Sequence, residues 1–217
     1  MAVIDNVSGL CAQDELFDKL LSRNGPPPVW RRPPTFGTLV RFILEQQVSL
    51  ASAQAAYDKL EAAIGDANPV SFLELDDAEL RAIGFSRQKA GYVRGIAGQI
   101  LAGDLDLDRI VGGGDVGSAE LLAVRGIGPW TVACFELFVA GRPDVWPTGD
   151  RALYVSLSRN LGHEHVLAKK ECDGIAARWS PYRSTAARML WHDYLGGRRY
   201  VFDTRAGFLV DTGNVSA

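Results

Sequence analysis

The sequence predicts an all-α fold. Apolar residues recur three and four apart through most of the chain, and Ser, Asp and Gly stand where helices would begin and end. No segment sustains the two-residue alternation of a half-buried strand, and there is no internal repeat. With 217 residues the chain can form one large domain or two small lobes around a sizeable core.

The opening stretch MAVIDNVSGLCAQDELF carries Asp5 and has no basic region ahead of an apolar one, so it does not read as a secretory signal. NGPPPVWRRPP (Asn24–Pro34) cannot be helical throughout, because proline lacks an amide hydrogen and turns the residue before it away from helix. Residues 1–34 are expected to form an N-terminal arm, residues 35–195 the core and residues 196–217 a tail. TFGTLVRFILEQQ starts the core with Phe36, Leu39, Val40, Ile43 and Leu44 on one stripe. SLASAQAAYDKLEAAIG follows, with Ser49 as N-cap and Gly65 as its stop. DDAELRAIG and SRQKAGYVRGIAGQILAG repeat the pattern, Gly84 ending one helix and Ser86 capping the next. SAELLAV is expected to be capped by Ser118, with Glu120 in its first turn, where an acid favours the positive end of the helix dipole. DRALYVSLSRNLG carries Leu153, Leu157 and Leu161, and SPYRSTAARMLWHDYLG runs from Pro181 near its first turn to Gly196. The tail, with RRYVFDTRAGFLVDTGN, either forms a short hairpin or lies along the surface.

Composition excludes several classes. Hydrophobic residues make up 47% and charged residues 23%, ordinary values for a soluble globular protein. The longest apolar run, around Val132–Ala140, is interrupted by Glu136, so no membrane span or membrane partner is expected. Cys11, Cys134 and Cys172 are odd in number and far apart. They suit reduced thiols in a cytoplasmic protein, offer no CxxC metal site and cannot hold a four-cysteine iron–sulfur cluster. Net charge is −3 and the pI about 5.6, which alone argues against a nucleic-acid partner. The distribution is less even. Arg81, Arg87, Lys89 and Arg94 lie in a stretch without acids, and Arg183, Arg188, Arg198 and Arg199 face only Asp193. Such runs give either a polarised surface or solvated helix faces. His163–Glu164–His165 offers two imidazoles without further ligands and is expected to be an exposed loop.

AVRGIGPWTVACFELFVAG (Ala123–Gly141) breaks one helix and starts another at once. Gly126 and Gly128 permit positive φ and close backbone approach, and Pro129 suits a first helical turn, where a missing N–H costs nothing. The amides around Gly126–Trp130 then sit at a helix N-terminus, which favours an anion such as phosphate. Leu121, Leu122, Val132 and Phe135 are expected to pack the two helices together. RPDVWPTGDRALYVSL follows, an extended segment ending in Gly149 and Asp150. Taken alone, Asp150 is as well explained by an N-cap, worth about 1 kcal/mol, as by chemistry.

Together, FILEQQVSLASAQ, LRAIGFSRQKAGYVRGIA, LLAVRGIGPWTVACFELF, DVWPTGDRAL and WSPYRSTAARMLW resemble the helix-hairpin-helix–Gly/Pro–Asp DNA glycosylases, and among them the 3-methyladenine DNA glycosylase II branch. The likeness runs from about Phe36 to Leu195 and lacks the β-rich N-terminal domain of some members. It implies two helical lobes with a DNA-binding groove and base pocket between them. Asp150 falls on the catalytic aspartate, and Trp130 and Trp191 on the pocket aromatics. Arg125, Gly126, Ile127, Gly128 and Thr131 fall on the DNA-gripping hairpin. The residue that wedges into the vacated stack falls near Gln47, with Gln46 and Val48 beside it; a glutamine there departs from the apolar residue of a known bacterial member. The backbone carbonyls of Leu122, Val124 and Ile127 fall where relatives hold a structural monovalent cation, Na+ or K+; no other cofactor is implied. Strand-cutting members carry a lysine two residues after the second hairpin glycine, where its amine forms a Schiff base. That position is Trp130, and Lys89 lies on another helix.

The implied activity is that of a monofunctional enzyme, monomeric and nucleoid-associated, acting on damaged double-stranded DNA. It would release 3-methyladenine or 7-methylguanine and leave an abasic site. Cleavage builds positive charge on the sugar, which a carboxylate stabilises, and indole faces attract a cationic base. Tyr154 and Trp146 are further wall candidates. Arg183 and Ser184 either touch the backbone or buttress the pocket, or Arg183 forms an ion pair. Glu45 is either a second pocket carboxylate or a solvated helix end. Two other functions fit the sequence: a glycosylase for hypoxanthine, uracil or another damaged base, and a non-catalytic DNA-binding module.

Overall fold

The computed structural model describes residues 6–197 and the backbone of two strands at 200–203 and 208–211. Thirteen α-helices occur among the described residues. They are α1 (Val7–Gln13), α2 (Glu15–Asn24), α3 (Phe36–Glu45), α4 (Leu50–Ile64), α5 (Pro69–Glu74), α6 (Asp77–Ile83) and α7 (Arg87–Ala102). Then come α8 (Leu107–Gly112), α9 (Gly114–Ala123) and α10 (Pro129–Phe135), the last continuing as a π-turn over Glu136–Ala140. The series closes with α11 (Arg151–Asn160), α12 (Lys169–Ala176) and α13 (Arg183–Tyr194), followed by strands β1 (Tyr200–Asp203) and β2 (Phe208–Asp211). None of the described helices is long and apolar enough to cross a membrane.

The all-α expectation holds with one amendment. β1 and β2 pair antiparallel, Tyr200 opposite Asp211, so the tail takes the hairpin alternative in its backbone. Arg198 and Arg199 lie outside the described residues.

Two compact helical units emerge, and their boundaries differ from the expected arm, core and tail. One unit joins Met1–Arg31 to Ala133–Ala217, and the other is Arg32–Val132. Residues 7–24 are no loose arm, because α1 and α2 are amphipathic and must bury a face. Leu10, Phe17 and Leu20 enter the same core as Leu153, Leu157, Trp179 and Leu190, with the Phe17 and Trp179 rings edge to face at 4.9 Å. Asn6 and Asp14 cap the two helices, and α13 packs against α2 and α11.

In the unit Arg32–Val132, α3 is central. Every residue from Phe36 to Leu44 is buried, so the single stripe expected from sequence is instead a helix covered all round. Its one charge in that stretch, Arg41, lies 3.4 Å over the Tyr57 ring. Burial pushes its pKa down to about 10, against the opposing pull of Tyr57 and Glu61. The caps at Ser49, Gly65, Gly84 and Ser86 fall as expected. Ser118 does not cap: α9 begins at Gly114, and the Ser118 hydroxyl donates to the Gly114 carbonyl inside the helix. Glu120 instead pairs with Arg109.

Candidate active site

Gly149 holds φ 85°, a left-handed conformation that glycine adopts freely, and so turns the extended loop into α11. Asp150 is then the N-cap, its Oδ1 accepting the Leu153 amide at 2.9 Å. The same oxygen accepts the indole N–H of Trp191 at 3.2 Å. Asp150 keeps 9% of its surface exposed, so the side chain is recessed and held from two directions, unlike an ordinary surface cap.

Trp191, half-buried on α13, stacks on Phe138 with ring centroids 5.2 Å apart and an interplanar angle of 25°. Trp30 tilts against both rings at 6.4 Å and is itself buried. Two of these three aromatics escaped sequence reasoning. Phe138 sits in the π-turn, a rare widening of the helix that leaves no mark in a periodic pattern. Trp30 arrives on the proline-rich strap; the available signal was a large ring set among prolines.

Both ends of the loop before Asp150 are fastened. At its start Asp144 accepts Arg183 Nε at 2.7 Å and the Ser180 hydroxyl at 2.7 Å, and the Arg183 guanidinium holds the carboxyl below the usual range. Ser184 donates to the Arg142 carbonyl at 2.6 Å and accepts the Val145 amide at 3.0 Å. Arg183 is therefore an ion pair and Ser184 a buttress of the loop. At the far end Asp173 of α12 accepts Trp146 Nε1 at 2.9 Å, the Tyr154 hydroxyl at 2.7 Å, the Thr148 hydroxyl at 2.5 Å and Lys169 Nζ at 2.7 Å. Burial opposes the charge, but these donors outweigh it and pull the pKa of Asp173 down to about 2. Tyr154, raised by burial and by Asp173, stays a phenol and accepts the Gly149 amide at 2.5 Å. Trp146 and Tyr154 thus act as brackets of the loop, where the sequence suggested pocket walls.

The unit Arg32–Val132 carries the hairpin and the expected wedge turn. Gly126 has φ 95°, and a Cβ on it would lie 2.3 Å from the Tyr92 ring. Gly128 is different: its φ is not positive, and no protein atom lies within 4 Å of where a Cβ would stand. Leu121, Val132 and Phe135 are buried as expected, whereas Leu122 is exposed because it sits on the outer face of α9. Gln46 does not face outward. Its Nε2 donates to the Gly126 carbonyl at 3.0 Å and to Thr131 Oγ1 at 3.1 Å. Lys89 Nζ donates to the carbonyls of Leu44 and Gln46 at 2.8 and 2.9 Å, and burial lowers its pKa. Gln47 is left at the tip of this braced turn with φ 59°, exposed, flanked by exposed Val48 and Leu50. A side-chain-bearing residue in that region costs about 1–2 kcal/mol, offset here by the anchors on either side.

Several other expectations change. The Ile127 and Thr131 side chains are buried, so only their backbones can meet a ligand without rearrangement. Arg125 is exposed and Trp130 half-buried. Glu45 forms a two-bond pair with Arg32 at 2.6 and 3.1 Å, so it is a buried ion pair and not a solvated helix end. Arg94 pairs with Asp77, and Arg188 is buried, its Nη2 donating to the Leu137 carbonyl in the π-turn. With Lys89 and Arg183 also engaged, much of the suspected basic surface is internal bonding. His163 and His165 are exposed, and no cluster of three metal-ligating side chains occurs among the described residues.

Residues 40–181 match the family described as HhH-GPD superfamily base excision DNA repair protein. The chain is 30% identical over 165 residues to the "Putative DNA-3-methyladenine glycosylase YfjP" of Bacillus subtilis, covering 72% of this chain but only 58% of that relative. It is 24% identical to DNA-3-methyladenine glycosylase 1 of Schizosaccharomyces pombe, over 86% of this chain and 84% of the relative. Among solved structures, a DNA-3-methyladenine glycosidase from Bacillus halodurans superposes with a TM-score of 0.69 at 29% identity, over 89% of this chain and 91% of that one. The S. pombe 3-methyladenine DNA glycosylase Mag1, solved with abasic DNA, superposes with a TM-score of 0.73 at 22% identity, over 86% and 94%.

Proposed function

The chain belongs to the HhH-GPD superfamily of base excision DNA repair proteins, and we propose that it is a monofunctional DNA N-glycosylase that releases alkylated purines from double-stranded DNA. The observation that carries this is the Asp150 carboxylate bonded to Trp191, whose ring is stacked on Phe138 and backed by Trp30. An anion beside aromatic faces suits a reaction in which both the leaving base and the sugar carry positive charge. The two relatives and two solved structures described above are named for 3-methyladenine, which supports that class of substrate.

In this mechanism the damaged nucleotide leaves the stack, at a cost of a few kcal/mol that damage lowers. Gln47, exposed on its anchored turn, fills the gap, and Val48 and Leu50 lie against the opened duplex. The base stacks on the face of Trp191 turned away from Phe138, with Trp130 meeting the nucleic acid just beyond the hairpin. A cation against an aromatic face gains about 0.5–2 kcal/mol. As the glycosidic bond lengthens, Asp150 stabilises the oxocarbenium-like sugar and orients the attacking water. An alkylated purine departs without much acid assistance, so no second carboxylate is required.

The hairpin grips phosphate through backbone amides at the start of α10, and the open space at Gly128 lets the strand approach closely. Arg125, exposed on the hairpin itself, adds charge to the grip. The carbonyls of Leu122, Val124 and Ile127 would hold a monovalent cation; Val124 already closes the turn on the Ile127 amide at 3.0 Å, so the ion would reinforce a formed loop. Strand cleavage is not expected. Trp130 occupies the lysine position, and the Lys89 amine is held by two carbonyls. The protein works as a monomer.

The test is base release from methylated duplex DNA, with freed purines measured by chromatography and abasic sites by alkaline cleavage. Wild-type protein is expected to release 3-methyladenine and 7-methylguanine and to leave the strand intact until alkali is added. Asp150→Asn should abolish release while keeping DNA affinity and stability, because asparagine caps a helix about as well as aspartate. Undiminished turnover by that variant would remove Asp150 from the mechanism. Release of only hypoxanthine or uracil would move the substrate class, and DNA binding without any release would leave a binding module.

A further inference from the structure

Asp173 belongs to no motif discussed above, yet it gathers the loop that delivers Asp150. Its two oxygens accept hydrogen bonds from Trp146 and Thr148, both on the loop, from Tyr154 on α11 and from Lys169 one helical turn earlier on α12. Lys169 also donates to the Thr148 hydroxyl, and Trp146 packs edge to face on Trp179 at 5.6 Å. Tyr154 extends the arrangement by one bond, accepting the amide of Gly149, the residue next to Asp150. The carboxylate therefore reaches residues 146, 148 and 149 in succession. We propose that Asp173 is a positioning residue for the glycosylase reaction: it sets the Thr148–Gly149 backbone so that the Asp150 carboxylate faces the sugar.

The inference rests on the catalytic assignment of Asp150. Its physical content is that chemistry by a single fixed carboxylate is sensitive to small displacements. A shift near 1 Å can cost about a hundredfold in rate. Asp150 is tied on its far side by Leu153 and Trp191, and on the chain side the Asp173 bonds are what prevent the Gly149 turn from relaxing. Burial is outweighed by hydrogen bonds from Lys169, Thr148, Tyr154 and Trp146, which hold the Asp173 carboxyl below its ordinary range, so the hub is anionic near neutral pH.

The experiment measures single-turnover base release from methylated duplex at saturating enzyme, together with affinity for a duplex containing an abasic analogue. The proteins are wild type, Asp150→Asn, Asp173→Ala, Asp173→Asn and the loop-side variant Thr148→Val. Asp173→Ala is expected to lower the rate constant about thirtyfold with affinity within about threefold of wild type. Asp173→Asn, which keeps an acceptor for Trp146 and Tyr154, should recover part of the rate. Thr148→Val should reproduce a milder defect, and combined with Asp173→Ala it should add little, since both break one connection. If Asp173→Ala does not fold, Thr148→Val and Asp173→Asn carry the test. A folded Asp173→Ala with the wild-type rate, or one whose rate and affinity fall in parallel, would overturn the proposal. Failure of the catalytic assignment looks different, since wild type would then release no base or Asp150→Asn would remain active.

Discussion

At the scale of single residues, the site gives side chains two tasks at once. Asp150 caps α11 and also accepts the Trp191 indole. Trp191 offers a ring face and also supplies the N–H that restrains the carboxylate. The two roles of Trp191 separate in Trp191→Phe, which keeps an aromatic ring against Phe138 while removing the donor together with part of the ring area. A hydrogen bond to a charged acceptor is worth about 1.5–3 kcal/mol, so base release should slow roughly ten- to a hundredfold in single-turnover kinetics while DNA affinity holds. Equal losses in both would assign Trp191 to binding alone. Asp150 was visible in the sequence because a Gly–Asp pair ahead of a periodic helix is a local signal. Its bond to Trp191 was not, because that contact joins two helices whose relation no local pattern encodes. Asp173 was hidden for the same reason: on α12 it looks like any acid one turn after a lysine.

At the scale of elements, the hairpin shows why its two glycines are not equivalent. Gly126 is required by positive φ and by the Tyr92 ring, whereas neither applies to Gly128. Gly126→Ala is expected to cost about 2–4 kcal/mol of stability, from backbone strain plus overpacking, measured by chemical denaturation. Gly128→Ala should leave stability unchanged or slightly raised, yet weaken duplex binding roughly tenfold, about 1.4 kcal/mol, because a methyl group would stand where phosphate approaches. A Gly128→Ala protein that binds DNA normally would place the grip elsewhere. The wedge turn is a second element built for stiffness. Gln46 ties it to the hairpin and Lys89 ties it to α7, so two polar side chains that look like surface groups in EQQ and RQK are internal bonds. Polar residues at helix ends are where sequence reasoning most often assigns solvent, and here acceptors of the hairpin claimed Gln46 and carbonyls at the α3 C-terminus claimed Lys89.

At the scale of the whole molecule, charge is divided unevenly between the two units. Asp144, Asp173 and Asp193 all lie in the unit formed by the chain ends, and each is held below its ordinary pKa by donors that outweigh the opposing effect of burial. An acid depressed in the fold stabilises it fully above the unfolded value near 3.9, and that stabilisation is lost as pH falls through the folded value. For Asp173 the loss extends down to about 2. In the unit Arg32–Val132, burial raises Glu61, which has the opposite sign, since protonation then favours the fold. Asp77 is lowered there too, but it is solvent-exposed and its pair with Arg94 is screened. Hydrogen exchange between pH 4 and 2 should therefore rise first in α11–α13 and later in α3–α7. The reverse order would mean that these carboxylates do not govern acid stability.

The sequence by itself determined α3, α4, α6, α7, α9, α10, α11 and α13, most of their ends, the hairpin and the candidate aspartate. Those features arise from interactions within about four residues: caps, left-handed glycines, proline at a first turn and apolar spacing. Only the tertiary structure decided that residues 7–24 complete a core with the far end of the chain, and that Trp30 and Phe138 join Trp191. It alone also decided that Gln46 and Lys89 point inward and that Asp173 holds the loop before Asp150. Each of these depends on which distant segment comes to lie against a side chain. Burial and hydrogen-bond satisfaction settle that over the whole fold at once, and no window along the chain contains both partners.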